Sequence, residues 1–159
     1  LLDAVISRSH ITMMNEDEAK EYAGASTVLE AGEFLLSRGA PYAVVKQGEY
    51  GATLIGLGED GRTRIFRCPA YPLKTLVDPT GAGDTFLGAL AGYLSTLPEG
   101  LPSFEDVKRG IVYGTVAASF TCESFSADAL LSMTPETFRK RLAEYTEMCS
   151  IPAACNSWI

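Results

Sequence analysis

Positive charge, long apolar runs and histidine are all scarce in this chain of 159 residues. Thirteen lysines and arginines stand against twenty aspartates and glutamates, so the net charge is −7. This balance argues against a surface for nucleic acid or anionic membrane, because both require clustered positive charge. No apolar run approaches the roughly 20 residues that span a bilayer, and the opening Leu1-Leu2-Asp3 lacks the basic region of a secretory signal. We therefore expect a cytoplasmic protein that binds neither nucleic acid nor membrane.

Several familiar site patterns are absent as well. The four cysteines form no C-x-x-C pair and His10 is the one histidine, so sequence spacing assembles no zinc site and reduced thiols are expected. No Gly-Lys-Ser/Thr occurs, which excludes a P-loop. A dinucleotide fingerprint starting at Gly81 would need a small residue where the bulky Phe86 stands, so a Rossmann cofactor site is disfavoured.

Alternating strand and helix patterns indicate an α/β domain, and 47% hydrophobic residues suffice for its core. Apolar runs typical of buried strands lie at Ile11–Met14 and Tyr42–Lys46. Helical patterns lie between these two runs, and this alternation favours a mostly parallel sheet flanked by helices. An Asp-Gly turn between the extended runs Ala52–Leu57 and Arg62–Cys68 predicts a β-hairpin.

Further helical patterns lie on both sides of the hairpin. Two helices are predicted before it, from Asn15 to Gly24 and from Thr27 to Arg38, and three after residue 81. In the second of those three, Gly110, Gly114 and Ala118 form a ridge of small residues that predicts close packing against the helix beginning near Asp84. Residues 150–159 show no periodicity and are expected to form a tail.

The most informative segment is Asp78-Pro79-Thr80-Gly81-Ala82-Gly83-Asp84-Thr85-Phe86. A glycine-rich turn that enters a helix gathers unpaired amides at the positive end of the helix dipole, where phosphate oxygens bind. A carboxylate among such amides repels phosphate, but it suits a base that accepts a proton from a hydroxyl attacking phosphorus. Taken alone, the turn and Asp84 fit catalysis and simple helix capping about equally well.

Two other motifs follow predicted strands. Asn15-x-x-Glu18 is typical of a capping box, in which Asn15 accepts from the third helical amide and Glu18 returns to the cap. Lys46-Gln47-Gly48-Glu49-Tyr50-Gly51 is a glycine-rich turn at a strand end, where open α/β sheets bind ligands. All three motifs are expected where a strand ends, so they should converge on one crevice.

These motifs, in this order, resemble those of the PfkB (ribokinase-like) carbohydrate kinase family. The resemblance implies a three-layer ribokinase-like fold and an enzyme that moves the γ-phosphoryl of Mg·ATP to a hydroxymethyl group of a sugar. It implies Asp84 as catalytic base and the amides of Gly81, Ala82 and Gly83 as anion hole.

The resemblance also implies the nucleotide and metal contacts. Glu18 would place Mg²⁺ through water, since this hard ion takes few carboxylate ligands. Asp78 and Thr80 match positions that hold a monovalent cation such as K⁺, although the loop after residue 121 departs from the family pattern. The nucleotide contacts are expected from five residues: Asn15, Lys46, Gly48, Gly51 and Thr80.

The family comparison leaves the acceptor open. The alternatives to a sugar kinase are a nucleoside (adenosine-like) kinase of the same family and a non-catalytic nucleotide-binding regulator. We expect residues 1–149 to be the C-terminal, nucleotide-binding part of a longer enzyme whose acceptor pocket and lid lie elsewhere. The fragment alone should then be inactive, and the full-length protein is a candidate homodimer.

Overall fold

The computed structural model describes residues 1–58, 60–126 and 128–150. In this part of the chain, four strands form one sheet in the order β1-β2-β3-β4. They are β1 (Ile11–Asn15), β2 (Tyr42–Lys46), β3 (Ala52–Leu57) and β4 (Thr63–Cys68). β1 and β2 are parallel, whereas β2–β3 and β3–β4 are antiparallel. The prediction of a mostly parallel sheet is therefore corrected to a mixed sheet.

Short connections explain the mixed sheet. Only residues 47–51 join β2 to β3, and a connection this short reverses the chain because a parallel crossover needs a dozen residues or more. The predicted β3–β4 hairpin is confirmed, with pairing from Leu57 opposite Thr63 to Ala52 opposite Cys68. At the turn, the amide of Gly58 donates to the carbonyl of Arg62 at 2.8 Å.

The helices largely follow the predicted pattern. The side chains of Thr27, Ser103 and Thr134 cap the N-termini of three of them. The described helices are α1 (Leu2–Ile6), α2 (Glu16–Ala23), α3 (Val28–Ser37), α4 (Ala82–Leu94), α5 (Phe104–Thr121), α6 (Asp128–Leu131) and α7 (Pro135–Met148). The prediction of three helices after residue 81 is wrong, since α6 makes a fourth. It is a single turn, too short to show a helical period.

Helices cover both faces of the sheet, which confirms the three-layer α/β fold. Val44 and Leu54 face a core shared with α4, α5 and α7. Val45 and Ile55 face the opposite core, which contains residues of α2 and α3. The alternation follows from the strand period of two.

The small-residue ridge of α5 packs against α4, as predicted. A Cβ at Gly110 would collide with the side chain of Leu90, and one at Gly114 would lie 2.8 Å from the carbonyl oxygen of Phe86. Glycine therefore lets the two helix backbones approach closely.

The remaining sequence predictions concern cysteines, membrane segments and the tail. Cys68, Cys122 and Cys149 are free thiols. No helix within the described ranges is long and apolar enough to cross a bilayer. The predicted tail lies outside the described residues except for Ser150, and so does Cys155.

Candidate active site

The first motif lies where β1 meets α2. The side-chain oxygen of Asn15 accepts from the Glu18 amide at 2.8 Å, and Glu18 Oε2 accepts from the Asn15 amide at 3.1 Å. The predicted capping box is therefore present, and both side chains are exposed. This geometry fixes the Glu18 carboxylate at the first turn of α2. Its second oxygen, Oε1, accepts no hydrogen bond within the described part of the chain.

The second motif lies at the end of β2. After Lys46 the chain makes a single 3₁₀ turn at Gly48–Tyr50 and closes with a bond from the Gln47 amide to the Gly51 carbonyl at 2.7 Å. Gly51 has φ +91°, and a Cβ there would collide with the carbonyl of Cys68, so only glycine fits. The Gly48 amide donates to no acceptor among the residues described.

The third motif forms the N-terminus of α4. Gly81 occupies the cap position with φ +82° and supplies no side-chain cap. The Ala82 amide donates to the carbonyl of Pro79 at 3.1 Å, while those of Gly81, Gly83 and Asp84 find no acceptor in the described ranges. The Asp84 side chain is exposed, and no described residue donates to it. The Asp84 carboxylate therefore accepts no hydrogen bond from the cap residue Gly81. A helix-capping role, the alternative to catalysis for Asp84, is not observed.

The loop before α4 does not end a strand, contrary to prediction. Residues 69–80 contain no strand, and the prolines at 69, 72 and 79 lack the amide that a sheet ladder uses. The Val77 amide instead bonds to the carbonyl of Cys122, at the end of α5, at 2.9 Å. A bond of 2.8 Å between the hydroxyls of Thr85 and Thr121 fastens the start of α4 to the same place.

Asp78 forms a local turn within this loop. Its Oδ1 accepts from the Thr80 amide at 2.9 Å. Hydrogen bonds from Thr80, chiefly from its backbone amide, lower the pKa of Asp78 below its ordinary value, so the carboxylate is charged at neutral pH. An anionic oxygen donor in this position suits a cation.

Lys46 brings the three motifs together. Asn15 and Lys46 are cross-strand partners at the ends of β1 and β2. The Lys46 ammonium lies 3.0 Å from the position that a Cβ on Gly83 would take. All three motifs therefore meet at the edge of the sheet where β1 and β2 end, although one of them arrives there on a loop.

Sequence reasoning missed a polar bridge between the first two motifs. Gln47 Nε2 donates to Glu16 Oε2 at 2.9 Å, and Thr53 Oγ1 donates to Gln47 Oε1 at 2.8 Å. Glu16 also pairs with Lys20 one turn along α2. Because Glu16 and Gln47 are far apart in the sequence, no local pattern signals the contact.

A magnesium ion would find few protein ligands at this edge. No group of three or more His, Cys, Asp or Glu side chains suited to a metal occurs in the described part of the chain. Mg²⁺ keeps its waters and binds through one or two carboxylates plus substrate phosphates, and Glu18 supplies an exposed carboxylate here.

Comparison with known proteins identifies the family. Residues 1–133 match the model described as pfkB family carbohydrate kinase. The chain belongs to this family. It is 39% identical over 113 residues to the cytidine kinase of Thermococcus kodakarensis, covering 70% of this chain and 37% of that protein. It is 35% identical over 118 residues to the ribokinase of Mus musculus, covering 71% and 35%.

Solved structures of the family share the fold. The aminoimidazole riboside kinase from Salmonella enterica, complexed with aminoimidazole riboside and an ATP analog, superposes with a TM-score of 0.73 at 25% identity. That match covers 89% of this chain and 44% of the other. The chain thus spans somewhat over a third of the length of the curated relatives. The ribokinase-like fold expected from the motifs is confirmed.

Proposed function

We propose that this chain is the nucleotide-binding and catalytic part of an ATP-dependent kinase that phosphorylates a hydroxymethyl group of a sugar or nucleoside. The observation that carries the proposal is how near the Lys46 ammonium lies to Gly83, 3.0 Å from where a Cβ on that residue would be. Gly83 is at the open N-terminus of α4, directly before Asp84, to which no described residue donates. The Lys46 ammonium, at the end of β2, lies beside the N-terminus of α4, which carries the amides of Gly81 and Gly83 and the Asp84 carboxylate. Phosphoryl transfer requires this combination of a cation, amide donors and a carboxylate.

Each group has a distinct task. The amides of Gly81 and Gly83 face developing negative charge on the phosphoryl oxygens, with Ala82 completing the turn. Lys46 adds a charge-assisted bond to phosphate, and the Gly48 amide and the close turn at Gly51 let the backbone approach the nucleotide. Asp84 accepts the proton of the attacking hydroxyl. Thr80 holds the loop through its bond with Asp78.

The proposed metal contacts rest on the same residues. Mg²⁺, when bound, neutralises charge on the phosphate oxygens. Glu18 holds one of its waters through the oxygen not used by the capping box, and Asn15 keeps that carboxylate in place. Asp78, charged and close to Thr80, is the proposed ligand for K⁺.

The names of the relatives support a ribose-containing acceptor. Cytidine, ribose and aminoimidazole riboside, the compounds in their names, all contain a ribose unit. A ribose or riboside hydroxymethyl group is therefore the first acceptor to test. Because the chain covers less than half of each of these relatives, the acceptor pocket is expected outside it.

The test is acceptor-dependent release of ADP by the full-length protein across a panel of sugars and nucleosides. We expect ADP release with at least one ribose-containing acceptor, and Mg·ATP binding without turnover for the 159-residue chain alone. ATP binding without ADP release on any acceptor would contradict the kinase proposal and favour a nucleotide-binding regulator.

A further inference from the structure

A hydrogen-bonded bridge joins the two loops that carry the first two motifs. It consists of Glu16 on α2, Gln47 after β2 and Thr53 on β3, and we call it the Gln47 bridge. The Gln47 amide is held at both ends, donating to Glu16 at 2.9 Å and accepting from Thr53 at 2.8 Å. The Glu16 carboxylate fixes the orientation of the amide, because a carboxylate only accepts and must face Nε2, and the Thr53 hydroxyl then donates to Oε1.

Both anchors of the bridge are themselves fixed. Thr53 lies in the middle of the sheet and is 3% exposed. Glu16 is the first residue of α2, between the capping residues Asn15 and Glu18, and it pairs with Lys20. Hydrogen bonds from Lys20 first and Gln47 second lower the pKa of Glu16, so this anchor is an anion at neutral pH.

The bridge spans the groups that the proposed function assigns to the nucleotide. On one side, Gln47 lies between Lys46 and Gly48 in the chain. On the other, Glu16 lies in the turn that holds Glu18. Among the described residues, no other side-chain hydrogen bond joins the first turn of α2 to residues 46–51, so without the bridge the two sides could shift relative to each other more easily. Ordering two loose loops on binding costs affinity, whereas fixed loops avoid this cost.

We propose that Gln47 is a positioning residue that sets the spacing between the Lys46–Gly51 loop and the first turn of α2, so that Mg·nucleotide meets a preformed site. The proposal rests on the proposed function. It assigns the role to a residue that need not touch the nucleotide, acting through Glu16 and Thr53.

The first experiment replaces Gln47 with leucine, which keeps the approximate shape and removes both hydrogen bonds. We expect the Kd of the chain for Mg·ADP, measured by calorimetric titration, to rise about tenfold, as for other supporting residues around metal and phosphate sites. The matched control is Thr63→Val, which removes a comparable bond of 2.7 Å between β4 and Glu33 of α3, at the far end of the strand. The control should bind as the unaltered chain does, and both variants should unfold at similar temperatures.

A paired exchange separates positioning from general damage. Gln47→Glu alone sets two carboxylates against each other and should weaken binding at least as much as leucine. Adding Glu16→Gln restores an amide–carboxylate pair with reversed direction, and Thr53 can still donate to the new carboxylate. We expect the double variant to return to within about threefold of the original Kd.

The outcomes are distinguishable. Unchanged binding by Gln47→Leu, with the unaltered chain binding normally, would overturn the positioning role and leave the nucleotide site in place. Equal losses of binding and thermal stability in Gln47→Leu and Thr63→Val would also overturn it, since they would indicate general destabilisation. If the unaltered chain binds no Mg·ADP, the proposed nucleotide site itself fails and the positioning role falls with it.

Discussion

Helices α4 and α5 pack side by side and both carry an aspartate at the third helical position, yet their N-termini differ. At α5, the Ser103 hydroxyl accepts from the Asp106 amide at 3.1 Å, and Asp106 accepts from the Ser103 hydroxyl at 2.6 Å. At α4, Gly81 offers no side chain, and within the described residues nothing donates to Asp84. The same acidic residue is a structural cap in one helix and an available group in the other.

The difference lies in the residue at the cap position. Serine satisfies the first-turn amide and holds the acid, which stabilises the helix. Glycine in the left-handed conformation starts the helix without using either group. The N-terminus of α4 therefore gives up stability that capping would provide, and keeps amides and a carboxylate free for a ligand.

The largest expected effect is that of replacing Asp84 with asparagine. Asp84→Asn in the full-length protein should lower kcat by about 10²- to 10⁴-fold, because the proposed proton acceptor is lost. Its fold should persist, because Asp84 is exposed. Acceptor-dependent ADP release measures the rate.

The control for this exchange is Asp106→Asn in the other helix, which should keep kcat. Substantial turnover by Asp84→Asn would contradict the base assignment. An equal loss of kcat in both variants would show that the two N-termini do not differ in function.

A smaller effect is expected from removing the cation beside α4. Lys46→Met should weaken Mg·ATP binding by about 2 kcal/mol, roughly thirtyfold, the usual contribution of a hydrogen bond to a charged group. Titration of the chain with Mg·ATP measures the change.

Lys108→Met provides the matched control on α5. The Lys108 ammonium pairs with Glu105 at 2.9 Å, at the capped helix N-terminus. This variant should leave nucleotide affinity unchanged. Equal affinities for Lys46→Met and the unaltered chain would remove Lys46 from the proposed site.

The smallest effect concerns pH and the capped helix. The Ser103 hydroxyl first, and its backbone amide second, lower the pKa of Asp106 below its ordinary value of 3.8. A carboxyl with a depressed pKa in the folded state stabilises the fold above its unfolded pKa, and this contribution disappears as pH falls through the folded pKa. Asp106→Asn should therefore be less stable than the unaltered chain at pH 7, with the gap closing on acidification below about pH 4.

Urea unfolding at several pH values measures this gap. A difference in stability between Asp106→Asn and the unaltered chain that stays constant with pH would contradict the idea that the charge of Asp106 stabilises the cap. Asp84→Asn, at the uncapped helix, should show no comparable gap at pH 7, because no described residue donates to Asp84.

Local chemistry made much of this molecule predictable from its sequence. The capping box of α2, the hairpin and the glycine ridge of α5 all depend on residues close in sequence or on helical spacing. The structure confirms them, since these local preferences agree with the overall fold. The motifs likewise sufficed to predict the family.

Longer-range features were predicted less well. The parallel sheet was inferred from strand and helix order, and the short link at residues 47–51 made two of the pairings antiparallel. The strand expected before Gly81 is replaced by a proline-containing loop tied to Cys122. The Gln47 bridge joins residues that only the folded sheet brings together, so no sequence pattern predicts it.

The close approach of Gly114 to Phe86 has a genetic consequence. A Cβ added at Gly114 would collide with the carbonyl oxygen of Phe86, which lies two residues beyond Asp84 in the first turns of α4. Every amino acid that a single-base change can substitute for glycine adds at least a Cβ. A missense mutation in this codon, thirty positions downstream of the aspartate, would therefore push on the backbone at the start of α4.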